Sequence, residues 1–485
     1  MPPALALVQR ADERLTPLER LEVLCDPGSL QLVRTGVRSH RMGDRAQDGD
    51  GVLGGTGMVD GRAVACFAQD ASFAGGSLGE AHADTVVRVL EMAGRGRIPC
   101  VGFIESAGAR MQEGVAALAG YGRIFRAHTV LSGQVPQISI VCGASAGGGS
   151  YAPALTDVVV MTKHASMFLT GPGVVQEVTG EDVDAATLGG PRVHARNGVC
   201  HVVADTEVDA ALLARDLLDH LPQHAGVTPQ RWPTVEPPEG GPDAVVPAEP
   251  RRVYDVRHVI ARLVDGGRQV EIGERWARNI VCVFARIDGR AVGVVANQPK
   301  FLGGVLDAES ASKAARFVRT CDAFGLPLVV LVDTPGFLPG SAQEKAGVIR
   351  HGAKLVHAFA AATVPRITVV TRKAFGGAFI AMNSKDLGAD YVFAWPQAQI
   401  GVMGAQQAVG IVNRREIAAD EDPDAARERL AARYAGEHLD VGAASAGGFV
   451  DEVVPPSRTR ERLIAALDAL ATVHRPPRPT RNIPL

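Results

Sequence analysis

The sequence predicts an α/β fold made of two copies of one domain, and three features predict it. Strand-like apolar runs alternate with helix-like amphipathic runs along the chain. The stretch beginning at Asp60 recurs at Asp288, 228 residues on, with 15 identities in the 49 positions of 60–108 against 288–336. Glycine-rich turns close the strands at matching places in both copies, where open α/β folds place their ligand sites.

The elements come in the same order in each copy. Residues 63–67 and 291–296 read as strands leading into the glycine pairs Gly75-Gly76 and Gly303-Gly304. Residues 81–92 and 310–321 have helical periodicity. Residues 100–104 and 327–332 read as buried strands, each ending at an acid, Glu105 or Asp333. A second helix, a strand over 137–141 or 366–371, and a glycine loop opening a further helix complete the unit. The match runs without a gap through Phe73/Phe301, Leu78/Leu306, Arg88/Arg316, Pro99/Pro327 and Gly108/Gly336. With one extra residue it continues through Pro136/Pro365, Ile138/Ile367, Gly147-Gly148/Gly376-Gly377 and Asp157/Asp386. Between the copies, eight prolines fall within the 29 residues from Pro222 to Pro250. Such a stretch reads as an irregular, semi-rigid connector. The expected division is 1–221, a linker over 222–250, and 251–485.

Composition removes several function classes. The 50 basic residues nearly balance 53 acidic ones, for a formal net charge of −3, and aromatics make up 5%. That leaves neither a basic footprint nor a stacking surface for nucleic acid. No apolar run approaches the length of a membrane span, and Met1 to Arg10 does not resemble a signal peptide. The seven cysteines are scattered with no Cys-x-x-Cys pair, and the 13 histidines show no ligand spacing. Buried free thiols in a reducing cytoplasm, and no metal, are the expectation.

Gly143-Ala-Ser-Ala-Gly147 fits the nucleophile elbow of hydrolases, but the repeat argues against Ser145, whose counterpart is Ala374. Both copies keep backbone freedom at this loop, not a hydroxyl. Gly171-Pro-Gly173-Val-Val-Gln176 lacks the third glycine of a dinucleotide fingerprint. Glu105 and Asp333 are candidate acids or bases, or else ties for their loops. The positive signal is Ala146-Gly-Gly-Gly149 and Phe375-Gly-Gly-Ala378, each between a strand and a helix. A helix start leaves N–H donors unpaired, and small residues let a carbonyl approach them, which is the geometry of an oxyanion hole.

The chain resembles the carboxyltransferase (β) subunits of biotin-dependent acyl-CoA carboxylases of the actinobacterial acetyl-CoA/propionyl-CoA type. The resemblance covers nearly the whole chain. It rests on Cys25-Asp-Pro-Gly-Ser29, Phe73-Ala-Gly-Gly-Ser-Leu-Gly-Glu80, Ser106-Ala-Gly-Ala-Arg-Met-Gln-Glu-Gly114, Thr170-Gly-Pro-Gly173 and Val178-Thr-Gly-Glu181. In the second half it rests on Asp333-Thr-Pro-Gly-Phe337, Arg372-Lys-Ala-Phe-Gly-Gly-Ala378, Ala394-Trp-Pro396, Val402-Met-Gly-Ala405 and Asn482-Ile-Pro-Leu485. It implies two tandem crotonase-like domains of ββα units, the first binding acyl-CoA and the second carboxybiotin. It also implies a hexamer built of dimers whose active sites lie between opposed subunits. By position, Gly147, Gly148 and Gly149 would hold the thioester, and Gly377 and Ala378 the biotin carbonyl. Phe375, Gly376, Gly404 and Ala405 would complete the biotin side, and Ile380 would set acyl preference.

The implied reaction moves a carboxyl group from carboxybiotin to the α-carbon of a short acyl-CoA, giving malonyl-CoA or methylmalonyl-CoA. The alternative is the same subunit in a biotin-dependent decarboxylase. No Met-Lys-Met biotinylation site and no ATP loop occur, so the expected partner is a biotinylated α subunit carrying biotin carboxylase and carrier domains.

Overall fold

The computed structural model describes residues 14–247, 249 and 252–471. The first ten residues, the end of the proline-rich segment and the terminal Asn482-Ile-Pro-Leu485 motif lie outside the described residues.

Each copy builds one eight-stranded sheet. In the first, β1 (Gln31–Val33), β2 (Val52–Val59), β3 (Arg62–Gln69), β4 (Cys100–Ser106), β5 (Gln137–Ala146), β6 (Val158–Thr162) and β8 (Val202–Ala204) lie side by side. The short β7 (Ser166–Phe168) pairs with the end of β5. Strands β2 and β3 form an antiparallel hairpin, and from β3 onward the pairing is parallel. Parallel neighbours need crossovers, and these are α1 (Glu80–Gly96) after β3, α2 (Val115–Leu131) after β4 and the short α3 (Gly148–Ala154) after β5, while α4 (Glu207–His220) comes after β8.

The second sheet repeats this order with β9 (Gln269–Glu271), β10 (Ile280–Ile287), β11 (Arg290–Asn297), β12 (Leu328–Thr334), β13 (Arg366–Phe375), β14 (Tyr391–Ala394) and β16 (Glu452–Val453), and β15 (Gln399–Gly401) pairs with the end of β13. Its crossovers are α5 (Ala308–Ala323), α6 (Val348–Ala361) and α7 (Gly376–Ala381), with α8 (Ala405–Val412) and α9 (Pro423–His438) beyond them.

Local chemistry accounts for these elements. Helix α1 buries Ala83, Val86, Leu90 and Ala93, spaced by three or four residues so that they share one face. Helix α5 opens with a capping box between Asp307 and Ser310. Strands β4 and β12 are buried at every position, which is why they read as continuous apolar runs. From 222 to 247 the chain is irregular apart from a 3-10 turn at Pro242–Ala244.

The strand registers refine the repeat. Ala65 pairs with Cys100 and Gly293 with Leu328, preserving the 228 offset, and Cys100 pairs with Gln137 and Leu328 with Arg366. Beyond the glycine loops the sequence match slips. Ile138 pairs with Val158, but Ile367 pairs with Tyr391, so the second copy carries four extra residues there. Asp157 accepts the N–H of Gln137 at 2.9 Å, and the group that accepts the N–H of Arg366, at 2.8 Å, is Asp390. Asp390, not Asp386, is therefore the counterpart of Asp157. Asp386 sits in the extra 3-10 turn, Lys385–Leu387.

The two halves share a continuous core containing Leu217 and Leu218 of α4 with Ile280, Cys282 and Phe284 of β10. Hydrogen bonds stitch the seam, from Gly273 N to His201 O at 2.8 Å and from Arg286 Nη2 to Asp219 O at 2.6 Å. All seven cysteines are buried and free. Among the described residues no helix is long and apolar enough to cross a membrane, and no His/Cys/Asp/Glu group is arranged to hold a metal.

Candidate active site

Both glycine pairs of the repeat have a steric cause. A Cβ on Gly76 would stand 2.2 Å from the Glu105 carbonyl oxygen, and one on Gly304 2.4 Å from that of Asp333. Both glycines have positive φ, 69° and 79°, so only glycine lets this loop cross the strand end. The adjoining isolated bridges Leu78–Ala109 and Leu306–Phe337 tie it to the next loop in each copy.

The strand-end acids turn out to be ties. Glu105 is paired with Arg14 and, at 3.0 Å, with Arg20, whose guanidinium also grips Glu207. Asp333 accepts from Arg372 Nε at 2.8 Å and from the Tyr254 hydroxyl at 3.0 Å. A buried carboxylate already satisfied by a guanidinium has little capacity left to move protons. Arg110, from the Ser106–Gly114 motif, is likewise buried against Asp50 at 2.6 Å and Glu113 at 2.8 Å, which fixes the loop beside the first glycine site.

Ser145 lies inside β5, fully buried, and its Oγ has no hydrogen-bond partner among the described residues. Strand β5 runs five residues further than the periodicity suggests and takes the elbow motif with it. The turn comes only at Gly147, with φ 57° and ψ −123°.

The three glycines of this turn have different partners. The Gly147 N–H donates to the Phe168 carbonyl at 3.0 Å, which clamps the loop to β7. The Gly149 N–H is aimed at the Tyr121 hydroxyl, which also lies 3.2 Å from Ser106 Oγ. Burial pushes the Tyr121 phenol up, and these two neighbours pull the other way. The Gly148 N–H has no acceptor among the described residues, and a Cβ there would stand 2.6 Å from Tyr121 Cγ. The Gly149 N–H makes no hydrogen bond of normal geometry among the described residues either, so Gly148 and Gly149 are the two available donors, and Gly148 lies against the Tyr121 ring. Tyr121 escapes sequence reasoning because the repeat does not preserve it. Counting from Ile124 and Leu355, which face the core at equivalent places, its position in α6 is Gly352.

The second loop has the same backbone without the aromatic cover. Gly376 turns with φ 59°, and its Cβ position is 3.1 Å from the Val402 carbonyl oxygen. The N–H groups of Gly377 and Ala378 have no acceptor among the described residues, and nothing lies within 4 Å of a Cβ on Gly377. Ala378 is buried, whereas Ile380, two residues on, is 50% exposed. A Cβ on Gly404 would stand 3.4 Å from the Phe375 ring, so Phe375, Gly376 and Gly404 are brought together beside the two free donors, with Ala405 opening α8 next to them.

Apolar side chains surround both loops at the surface. Met111, Val115 and Leu169 flank the first, and Ile349, Val402 and Ile411 the second, with Met111 91% and Ile349 77% exposed. Exposed apolar clusters of this kind are typical of interaction surfaces and ligand-binding grooves.

The geometry defines a class of protein: duplicated α/β domains, each presenting unpaired backbone donors at a helix start, with the nearby serine withheld. Comparison with known proteins agrees. The carboxyl transferase domain family model matches residues 8–483. The chain is 46% identical to the propionyl-CoA carboxylase beta chain of Saccharopolyspora erythraea, over 98% of this chain and 92% of that one. It is 45% identical to the methylmalonyl-CoA decarboxylase subunit alpha of Veillonella parvula, over 98% and 94%. Among solved structures it matches the hexameric transcarboxylase 12S core, crystallised with methylmalonyl-CoA and methylmalonic acid, with TM-score 0.93 and 45% identity over 99% of this chain and 94% of that one. The chain belongs to the carboxyl transferase family, and its two sheets are crotonase-like domains.

Proposed function

We propose that this protein is the carboxyltransferase subunit of a biotin-dependent acyl-CoA carboxylase. The observation that carries this reading is the pair of glycine loops at equivalent repeat positions, each with N–H donors lacking an acceptor. Carboxybiotin on a partner subunit supplies the carboxyl group. The acyl-CoA α-carbon loses a proton and gains that carboxyl, and the biotin ureido nitrogen gives up CO₂ and takes the proton. Negative charge develops on the thioester oxygen and on the ureido oxygen. The Gly148 and Gly149 N–H groups stabilise the first, with Gly147 setting the turn. The N–H groups of Gly377 and Ala378 stabilise the second, with Phe375, Gly376, Gly404 and Ala405 shaping the biotin side. A fixed donor of this kind contributes about 2.7–4 kcal/mol to the transition state. With the proton passing to the leaving group, no side-chain base is required.

In this reading 1–221 is the acyl-CoA side, 251–485 the biotin side and 222–250 the connector. The exposed apolar rims of both loops support pairing of opposed subunits, with three such dimers forming a hexamer. The seven buried thiols and the CoA substrate suit the cytoplasm. Acetyl-CoA is taken efficiently and propionyl-CoA comparably or less well, with Ile380 on the acyl pocket wall. The test is bicarbonate incorporation. The purified chain alone carboxylates nothing, and adding the biotinylated α subunit, ATP and bicarbonate brings activity with acetyl- or propionyl-CoA. Incorporation without that partner would refute the reading. The likeness to a decarboxylase subunit supports the reverse direction as a second reading, and loss of CO₂ from methylmalonyl-CoA onto free biotin, without carboxylation in the full mixture, would favour it.

A further inference from the structure

A cavity of about 600 Å³ lies in the seam between the halves, and none of its lining residues belongs to either glycine loop. That volume falls in the range of small-molecule sites. Its lining is apolar and cationic at once. Val158 comes from the first half, and Ile272, Phe284 and Phe317 from the second, the two phenylalanine rings 4.9 Å apart. Five permanent cations also line it, Lys313, Arg316, Arg319, Arg350 and Lys354, against one carboxylate, Asp157.

These cations are not all spent on the fold. Lys313 is, because its ammonium donates to the carbonyls of Gly273, Trp276 and Ile280 at 2.8–3.0 Å. Arg316 is not. Its guanidinium bonds only neutral oxygens, Thr156 O across the seam at 3.2 Å and Thr320 Oγ1 at 3.5 Å. Its Nε is buried with no acceptor among the described residues, and so is Trp276 Nε1 on the same cavity wall. Burial pushes the Arg316 guanidinium down to about 10, although the Asp157 carboxylate nearby pulls the other way. Lys354 has no ion-pair partner among the described residues. A guanidinium sequestered with no carboxylate hydrogen-bonded to it is costly, and buried orphan donors are rare in native proteins unless something fills the gap.

We propose that this cavity binds an amphipathic monoanion, a carboxylate on an alkyl or acyl chain. The carboxylate takes the orphan donors of Arg316 and Trp276, and the chain lies over Val158, Phe284 and Phe317. Because both halves line the cavity, such a ligand clasps them together. A bare inorganic anion would leave the apolar floor wet, and an uncharged alkane would leave the two donors unpaired.

The probe is decanoate, titrated calorimetrically into the purified full chain, with thermal unfolding in parallel. No biotinylated partner is present, so the outcome is independent of the carboxyl-transfer reading. Saturable binding of one decanoate per chain and a raised Tm are expected. Arg316→Met should weaken binding by about tenfold or more, the effect of losing a charged hydrogen bond, and Lys354→Gln less. Inorganic phosphate and decyltrimethylammonium should show no saturable binding. Failure of decanoate to saturate, phosphate binding as well as decanoate, or equal affinity in Arg316→Met would each overturn the assignment. Should Arg316→Met not fold, quenching of Trp276 emission by a bromine-labelled decanoate in wild type, absent in Trp276→Phe, decides it instead.

Discussion

The two glycine loops are the same piece of backbone in two settings. Both turn through a glycine with positive φ, 57° at Gly147 and 59° at Gly376, and both open a short helix with unpaired donors. In the first, the Tyr121 ring covers Gly148 and its hydroxyl stands beside Gly149. In the second the corresponding space is open beside the two donors, Gly377 and Ala378. Duplication kept unpaired donors at the same turn and let the surroundings diverge, which in the proposed reading lets each site receive a different ligand.

The largest effect should come from deleting a donor. In Ala378→Pro the N–H is gone, yet the residue stands in the first turn of α7, where proline is tolerated. We expect kcat to fall by about 100-fold or more, whereas Ala378→Gly, which keeps the donor, stays near wild type. Circular dichroism and Tm must show both variants folded.

The comparison sharpens at the preceding glycine of each loop. Gly148→Ala drives a methyl into the Tyr121 ring and should cost about 1–3 kcal/mol of stability. Gly377→Ala meets nothing within 4 Å, so its Tm should match wild type, and any loss of activity would report a ligand in that space. Equal destabilisation of the two would contradict the difference in cover. Tyr121→Phe keeps the cover but removes the hydroxyl beside Gly149 and Ser106, and is expected to change kcat/KM by less than about tenfold, the scale of one neutral hydrogen bond.

How much of this was legible in the sequence depends on what each feature demands. Gly76 and Gly304 must be glycine because a carbonyl stands where a Cβ would be, so the duplication is plain at those points. Helix periodicity and the buried strands were readable for the same reason: burial on one face or two leaves a pattern. The four extra residues after α7 were not, because the glycine there, Gly388, falls opposite Leu155 and so has no counterpart in the first copy to mark the shift, and Asp386 stood by coincidence where Asp390 does the work. The reach of β5 to Ala146 was missed because Gly143, beside the Glu105 carboxylate, reads as a turn. Tyr121 was invisible because only one copy has it.

Acid should distinguish the halves more gently. The first half buries His82, His128 and His201, with burial pushing His82 and His201 down to about 3 and His128 to about 4. Unfolded histidine protonates near pH 6.5. Their contribution to stability is therefore full above about pH 6.5 and is lost as pH falls toward 4 and below. The described histidines of the second half, His258, His351, His357 and His438, are not buried. Amide exchange at pH 5 should accordingly rise first in β4–β6, and earlier exchange in β12–β14 would contradict this. A smaller effect still is expected of Ile380→Asp, which should alter the acetyl- to propionyl-CoA preference by no more than the roughly 1–3 kcal/mol that pocket size confers.

The central claim is that backbone donors, one set per repeat, perform this chemistry without a serine nucleophile. Its most direct test is single-turnover carboxyl transfer by folded Ser145→Ala and Ala378→Pro beside wild type, each with the same carboxylated biotin partner and propionyl-CoA. The account predicts that Ser145→Ala transfers at close to the wild-type rate and Ala378→Pro at about one hundredth of it or less. An inactive, well-folded Ser145→Ala, or an Ala378→Pro that transfers normally, would contradict it.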